Sequence, residues 1–279
     1  MIGAGGMLGY VTYQHLKDRG YQVIGVTRTK KYSDMVSMDA TDQFSIGSFL
    51  EQTDFDAVIN CAALLVNASK ERKSNAIQLN AWLPHFLEEF CDKHEKYLIQ
   101  AGTDGVFSGK DGGYQESSLS DTDTFYGKSK LLGETSGSHA LTVRSGFWGA
   151  DANLSGRGLF QWFLGQGETV HGYSRAFFNG VSNLEFAKFV DLALQKKWTG
   201  IYHLCASDVT SKYEFLELEK RVFFRKTEIV ADDRICIDRS LVCKRDDIAY
   251  QKKNFETMMI ELKEWLVGRG EFRIGKDGK

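Results

Sequence analysis

Apolar and polar positions in the first half of the chain follow two alternating periods. Residues 21–26, 56–63, 97–101 and 140–144 read as short strands. The second of these is apolar almost throughout, as a strand covered on both faces should be. Between them, residues 8–19 and 75–94 carry apolar side chains at helical spacing, and Gly20 follows the first helix where a helix commonly ends. A further short strand is expected at 35–38. Strands alternating with helices predict an α/β fold with a Rossmann-type doubly wound parallel sheet.

From about residue 151 the pattern loosens. Residues 156–167 are glycine-rich, with Phe160, Trp162 and Phe163 interleaved. Helices are expected at 183–195, 211–221 and 255–267, and a strand at 200–205. With no internal repeat and no low-complexity linker, the second half reads as a smaller lobe built partly from crossovers that return to the sheet.

Composition narrows the function classes. The 279 residues are 42% hydrophobic and 26% charged, which suits a folded chain with a sizeable core. Lys+Arg 35 against Asp+Glu 37 leaves a formal charge of -2, so no overall basic field recruits nucleic acid. The longest apolar stretch, residues 57–66, contains Asn60 and is too short to span a bilayer. No charged segment followed by an apolar one opens the chain, so a cytoplasmic location is expected. The five cysteines (Cys61, Cys91, Cys205, Cys236, Cys243) are odd in number and scattered, so neither a disulfide framework nor a metal site is expected.

Glycines at 3, 5, 6 and 9 open the first helix. That pattern allows a tight turn and lets backbone N–H groups meet a pyrophosphate at the positive helix end, followed by a strand at 21–26. A structural turn is the plainer alternative. Only Met1 and Ile2 precede the loop, where a dinucleotide fold has a strand of about five residues. The first strand therefore reads as missing or truncated, either through a misplaced start or through omission of upstream residues. The end of the strand at 21–26 carries no acid; Arg28, Lys30 and Lys31 follow instead. They suit a 2′-phosphate and hence NADP, with NAD possible, unless they are solvated loop charges. Asp39 is a candidate for the adenine amino group.

Tyr126 and Lys130 stand one helical turn apart. An ammonium beside a phenol lowers its pKa and makes it a usable acid or base. Tyr13 and Lys17 repeat the spacing by chance; Thr103, at the end of a predicted parallel strand, gives the second pair its context. Thr103, Tyr126 and Lys130 then form a hydroxyl–phenol–ammonium relay. Asn80 holds a water or a backbone carbonyl near the lysine, or is a polar residue on a helix face. His15, His171 and His203 show no metal pattern and read as structural or surface groups.

With these segments in view, the sequence resembles the extended short-chain dehydrogenase/reductases, and within them the dTDP-4-dehydrorhamnose reductase-like, sugar-nucleotide-binding family. The resemblance rests on residues 3–9, 58–63 (Val-Ile-Asn-Cys-Ala-Ala), 102–107 (Gly-Thr-Asp-Gly-Val-Phe) and 125–134 (Phe-Tyr-Gly-Lys-Ser-Lys-Leu-Leu-Gly-Glu). Residues 141–144, 200–204 and 237–241 extend it. It implies hydride transfer from NAD(P)H to C4 of a nucleotide-linked 4-keto sugar, in surface-polysaccharide precursor synthesis. Tyr126 would protonate the oxyanion, Lys130 would depress the phenol's pKa and hold the nicotinamide ribose, and Thr103 would bond the carbonyl oxygen.

The same likeness implies cofactor contacts at Gly3, Gly6, Met7, Leu8, Ala40, Cys61, Ala62, Ala63 and Asn80, beside Arg28 and Asp39. Substrate contacts would come from Thr103, Asp104, Val106, Arg175, Asn179 and Arg239, the last gripping the pyrophosphate with its forked guanidinium. Residues 1–150 would hold the dinucleotide and 151–279 mainly the substrate, the whole forming a possible homodimer. Gly102 and Gly105 depart from the family's usual Ser and Tyr or Cys, and the missing acid at Gly105 counts against a dehydratase. The competing readings are an epimerase with bound NAD and a non-catalytic dinucleotide-binding subunit.

Overall fold

The computed structural model describes residues 1–29, 33–151 and 158–271. Its first half is built on a parallel sheet. In chain order come α1 (Met7–Asp18), β1 (Val26–Thr27), β2 (Val36–Ser37), α2 (Gln43–Gln52), β3 (Ala57–Asn60) and α3 (Val66–Glu71). Next are α4 (Lys73–Ile77), a π turn (Gln78–Trp82), α5 (Leu83–Lys93), β4 (Tyr97–Ala101), α6 (Phe125–Leu132) and β5 (Ala140–Arg144). The second half adds α7 (Leu159–Leu164), β6 (Thr169–Phe178), α8 (Asn183–Lys196) and β7 (Gly200–His203). It closes with β8 (Thr210–Ser211), α9 (Lys212–Val222), β9 (Glu228–Asp238) and α10 (Phe255–Gly268).

The sheet order is β3-β4-β5-β7, all parallel, with β1-β2 as a separate parallel pair. Ile2 joins the two: it bridges Val26 on one side and Asn60 on the other. Its N–H donates to Ile59 O at 2.9 Å, and Cys61 N–H donates to Ile2 O at 2.9 Å. Met1 and Ile2 thus lie in the central strand position, two residues long. Of the strand expected at 21–26 only Val26–Thr27 pairs as a strand, with Gly25 O also accepting from Val36 N–H at 2.8 Å. The strand expected at 35–38 keeps only Val36–Ser37. The helix expected at 75–94 is one run from Lys73 to Lys93, interrupted by the π turn that contains Asn80. The glycine-rich segment expected at 156–167 lies partly outside the described residues; from Gly158 on it leads into α7.

A second sheet of order β8-β6-β9 belongs to the second half. β6 runs parallel to β9 and antiparallel to β8. Along β6 exposed and buried side chains alternate, as in a sheet with one solvated face. β7 and α8 return to the first sheet: β7 pairs with β5, and Asn183 at the start of α8 donates from Nδ2 to Met7 O and Ala150 O. One apolar cluster crosses the molecule, from Leu8 and Val143 to Phe215 and Met258. Trp148, Phe178, Phe215 and Phe255 form its aromatic centre, with edge-to-face contacts at centroid distances of 5.1–5.8 Å between Trp148 and Phe215, Phe178 and Phe215, and Phe215 and Phe255. Beyond β4 the second half meets the first again, where Tyr114 bridges Leu241 and Arg239 Nε donates to Phe107 O, at the strand ends where such folds take a ligand.

Candidate active site

The glycine loop sits at the carboxyl end of the Met1-Ile2 position. Gly3 has φ +79°, and a Cβ there would lie 2.6 Å from Ala62 N. A Cβ on Gly9 would come within 2.1 Å of Gly3 O. Both positions therefore need glycine, and together they bring the loop against the Cys61-Ala62 peptide and fold α1 down onto it. Gly6 caps α1 without a side-chain hydrogen bond, and the first turn carries no acid. The N–H groups that open the helix are thus left for an anion. Residues 61–63 are held in place by a buried amide pair that sequence reasoning missed. Asn60 Nδ2 donates to Gln100 Oε1 at 2.8 Å, and Asn60 Oδ1 accepts from Ala62 N at 3.1 Å. A polar residue at the end of each of two otherwise apolar strands was the available signal. The cradle fits a dinucleotide pyrophosphate.

Arg28 projects exposed from the end of β1, and Asp39 lies beyond the end of β2 with Ala40 after it. Asp39 Oδ1 accepts from Thr41 N and Thr41 Oγ1 at 2.9 and 2.8 Å. Those bonds, aided by the nearby Arg28, hold its carboxyl below the usual carboxylate range. Lys30 and Lys31, named with Arg28 above, lie outside the described residues. Met7 is half-buried and Leu8 buried at the start of α1. Burial pushes the Cys61 thiol up to about 12, so it stays protonated and unreactive.

Thr103, Tyr126 and Lys130 converge beyond the end of β4. Thr103 caps a 3-10 turn (Asp104–Val106): its Oγ1 accepts from Gly105 N at 3.0 Å and donates to Asp104 Oδ1 at 3.3 Å. Thr124 caps α6, its Oγ1 accepting from Gly127 N, and the helix presents Tyr126 and Lys130 on successive turns. Lys130 is buried and its Nζ donates to Ala101 O at 2.8 Å. Desolvation lowers its ammonium to about 8, against the pull of Glu134 and Cys61. Burial raises the Tyr126 phenol to about 12; the Thr103 hydroxyl opposes that rise and Asp104 adds to it.

This corrects one expectation. Lys130 is not among the groups that set the Tyr126 pKa, and the phenol is raised where depression was expected. The ammonium is tied to Ala101 O, and burial of the phenol dominates. Tyr126 is therefore held as an acid at neutral pH. Gly105 matters here, since a Cβ would lie 3.2 Å from Thr103 Oγ1 and 3.3 Å from Tyr126 Cε1. Gly102 is equally confined, with Val143 O at 2.9 Å from a Cβ. Tyr13 and Lys17, which share the spacing, both bond Asp34 instead, at 2.7 and 2.5 Å.

Asn80 is fully buried in the π turn. Its Oδ1 accepts from Leu64 N and its Nδ2 donates to Leu64 O and Ser129 Oγ, at 2.8, 3.0 and 3.0 Å. It pins the loop after β3 to α6. The π turn marks the place, as such bulges do at functional sites.

The candidate substrate residues divide. Arg239 Nε donates to Phe107 O at 3.1 Å, and its charge acts on Asp104. Val106 is wholly buried among Phe107, Tyr114, Cys205 and Leu241. Asn179 is buried as well, with both ends of its amide on the backbone of Leu241 at 2.7 and 2.8 Å. Arg175 is exposed on β6 opposite Cys236.

Behind the site lies an ion pair. Arg144 meets Glu134 with two 2.6 Å bonds, both side chains under a tenth exposed. Its Nη1 also faces His203 Nε2 at 3.2 Å, and burial lowers that imidazole to about 4. His203 is thus neutral and structural, the first of the two roles, structural or surface, expected of it.

Residues 1–145 match the family model described as the RmlD substrate binding domain. The chain belongs to that family. With it comes membership of the dTDP-4-dehydrorhamnose reductase-like, extended short-chain dehydrogenase/reductases. A probable low-salt glycan biosynthesis reductase of Haloferax volcanii is 29% identical over 267 residues, covering 88% of this chain and 84% of its own. Among solved structures, a hypothetical dTDP-4-dehydrorhamnose reductase from Sulfolobus tokodaii is 25% identical at a TM-score of 0.77, over 86% of this chain and 90% of that one. The dTDP-4-dehydrorhamnose reductase of Bacillus anthracis, solved with NADP, shares the fold at TM-score 0.81 and 16% identity, over 95% and 97% of the two chains. Among the described residues no helix is long and apolar enough to cross a membrane.

Proposed function

We propose that this NAD(P)-dependent oxidoreductase reduces the C4 keto group of a nucleotide-linked deoxysugar in the synthesis of a surface-polysaccharide precursor. The observation that carries the reading is the convergence of Thr103, a protonated Tyr126 and a buried Lys130 at the end of β4, facing the loop that only glycine can form. Bound NAD(P)H would supply the hydride. The N–H groups at the start of α1 would hold its pyrophosphate, and Lys130 its nicotinamide ribose. Arg28 would take a 2′-phosphate, which favours NADP over NAD. Tyr126 Oη holds the proton that the carbonyl oxygen needs as it gains charge, and its raised pKa keeps that proton available through the neutral range. Thr103 Oγ1, turned from Asp104, would donate to the same oxygen. Residues 1–150 would bind the dinucleotide and 151–279 most of the sugar nucleotide.

The test is purified protein with NADPH and dTDP-4-dehydrorhamnose or its UDP-linked counterparts, followed by loss of NADPH absorbance and by product analysis. Reduction of at least one such sugar is expected, and Tyr126→Phe should abolish it. Tightly held NAD with epimerised product and no net NADPH use would replace the reading with an epimerase. Dinucleotide binding without any turnover would leave a non-catalytic subunit.

A further inference from the structure

Facing Thr103 and Asp104 from the second lobe is a lysine to which the sequence pattern assigns no role. The chain turns from β8 into α9 at Ser211-Lys212. There Ser211 lies beside Phe177 of β6, while on the other side of β6 Arg239 N–H donates to Phe177 O at 3.0 Å. The end of β6 thus carries Lys212 on one flank and Arg239 on the other. Lys212 Nζ stands 4.6 Å from the centroid of the buried Phe178 ring, which fixes the stem. No carboxylate or carbonyl hydrogen-bonds this ammonium among the described residues, yet both Asp104 and Arg239 act on its charge. Arg239 is held through Nε alone, on Phe107 O, which leaves the outer nitrogens of its fork.

Neighbouring carboxylates are already engaged. Glu214 turns back to close the capping box on Ser211 N–H at 2.9 Å, and Asp238 accepts from Ser240 N at 2.8 Å. That leaves Lys212 and Arg239, whose charges both act on Asp104. Burial pushes the Asp104 carboxyl upward, toward its neutral form. Two cations against the single carboxyl of Asp104 leave a net positive charge to meet a dianion, and an ammonium with no hydrogen-bond partner among the described residues is a place for an anion to complete.

We propose that Lys212, paired with Arg239 across the end of β6, binds the diphosphate of the substrate and so sets its distance from Thr103 and Tyr126. This rests on the sugar-nucleotide reading above, and adds a second cation that neither the motif pattern nor the family resemblance supplies. Lys212 thereby acts in affinity for the nucleoside diphosphate rather than in proton transfer.

Calorimetric titration of the full chain with UDP and dTDP, against uridine and thymidine, tests it on wild type, Lys212→Met and Lys212→Arg. Lys212→Met should weaken the diphosphates at least tenfold. It should leave NADPH affinity unchanged, which also reports that the variant is folded; if methionine prevents folding, Lys212→Gln takes its place. Lys212→Arg should stay within a few-fold of wild type. Undiminished UDP and dTDP affinity in the neutral variant overturns the role of Lys212 while leaving the reductase reading intact. Wild type that binds NADPH but neither diphosphate overturns the sugar-nucleotide reading and the Lys212 subsite together.

Discussion

Lys130 Nζ donates to the backbone carbonyl of Ala101 at 2.8 Å, which locks the ammonium to the last residue of the strand that leads into Thr103. The side chain is almost wholly buried, and desolvation brings its pKa down to about 8 from 10.5. Its charged form therefore costs stability in the folded protein at neutral pH. Since the folded pKa lies below the unfolded one, the unfolded chain binds more protons between pH 8 and 10.5, and the cost is relieved as pH rises through that window. Lys130→Met should abolish reduction yet raise stability at pH 7 by about 2–3 kcal/mol, a gain that shrinks toward pH 10. Denaturant melts of both proteins across this range check it; a difference independent of pH would contradict the assignment.

Tyr126 should behave differently. Its phenol is held protonated by burial, so Tyr126→Phe removes an acid and little else. A fall in kcat of ~10²–10⁴-fold is expected, with KM and NADPH affinity near wild type. Steady-state kinetics beside a dinucleotide titration separates this from a folding defect, which would lower both.

The sequence made Thr103, Tyr126 and Lys130 legible because short local spacings on a strand end and a helix set their geometry. The glycine loop was legible for the same reason. Asn80 was ambiguous because its partners, Leu64 and Ser129, are distant in sequence. Asn179 and Val106 look like pocket residues in the chain but are consumed by packing, a tertiary outcome that no local pattern reports. β6 and β9 went unseen because polar and charged residues interrupt their alternation, and only pairing with each other makes them strands. Of the strand expected at 21–26, Val26 and Thr27 pair with Val36 and Ser37, and Val26 bridges Ile2.

Gly9→Ala should damage the cofactor site. A Cβ there would sit 2.1 Å from Gly3 O, and the backbone that carries each atom is held by the sheet and by α1. The loop must open, so NADPH affinity should fall by ~100-fold or more with a lowered Tm. Gly167→Ala, whose Cβ meets nothing within 4 Å, is the control and should change neither.

Arg28 decides cofactor choice if the 2′-phosphate reading holds. It is exposed at the end of β1, with Asp39 nearby engaged by Thr41. Charge-assisted hydrogen bonds contribute ~1.5–3 kcal/mol, so Arg28→Ala should weaken NADPH by roughly tenfold to hundredfold and leave NADH unchanged. Equal losses for both dinucleotides would assign Arg28 to the pyrophosphate or to folding.

Glu134 and Arg144 form the buried pair that supports the site from behind. Removing one partner leaves the other charge desolvated beside a neutral His203, so Glu134→Gln should cost about 3–5 kcal/mol. At roughly 2–4 °C per kcal/mol for a chain of this size, that is a fall in Tm of about 6–20 °C. Glu134 also raises the Lys130 pKa, so its loss should carry the ammonium further down and extend the pH window of the Lys130 effect to more acid values. The double variant Glu134→Gln with Arg144→Met removes both charges and should recover part of the lost stability. Recovery of none would mean that the pair's contribution lies in its bonds to Glu116 and His203 rather than in mutual neutralisation.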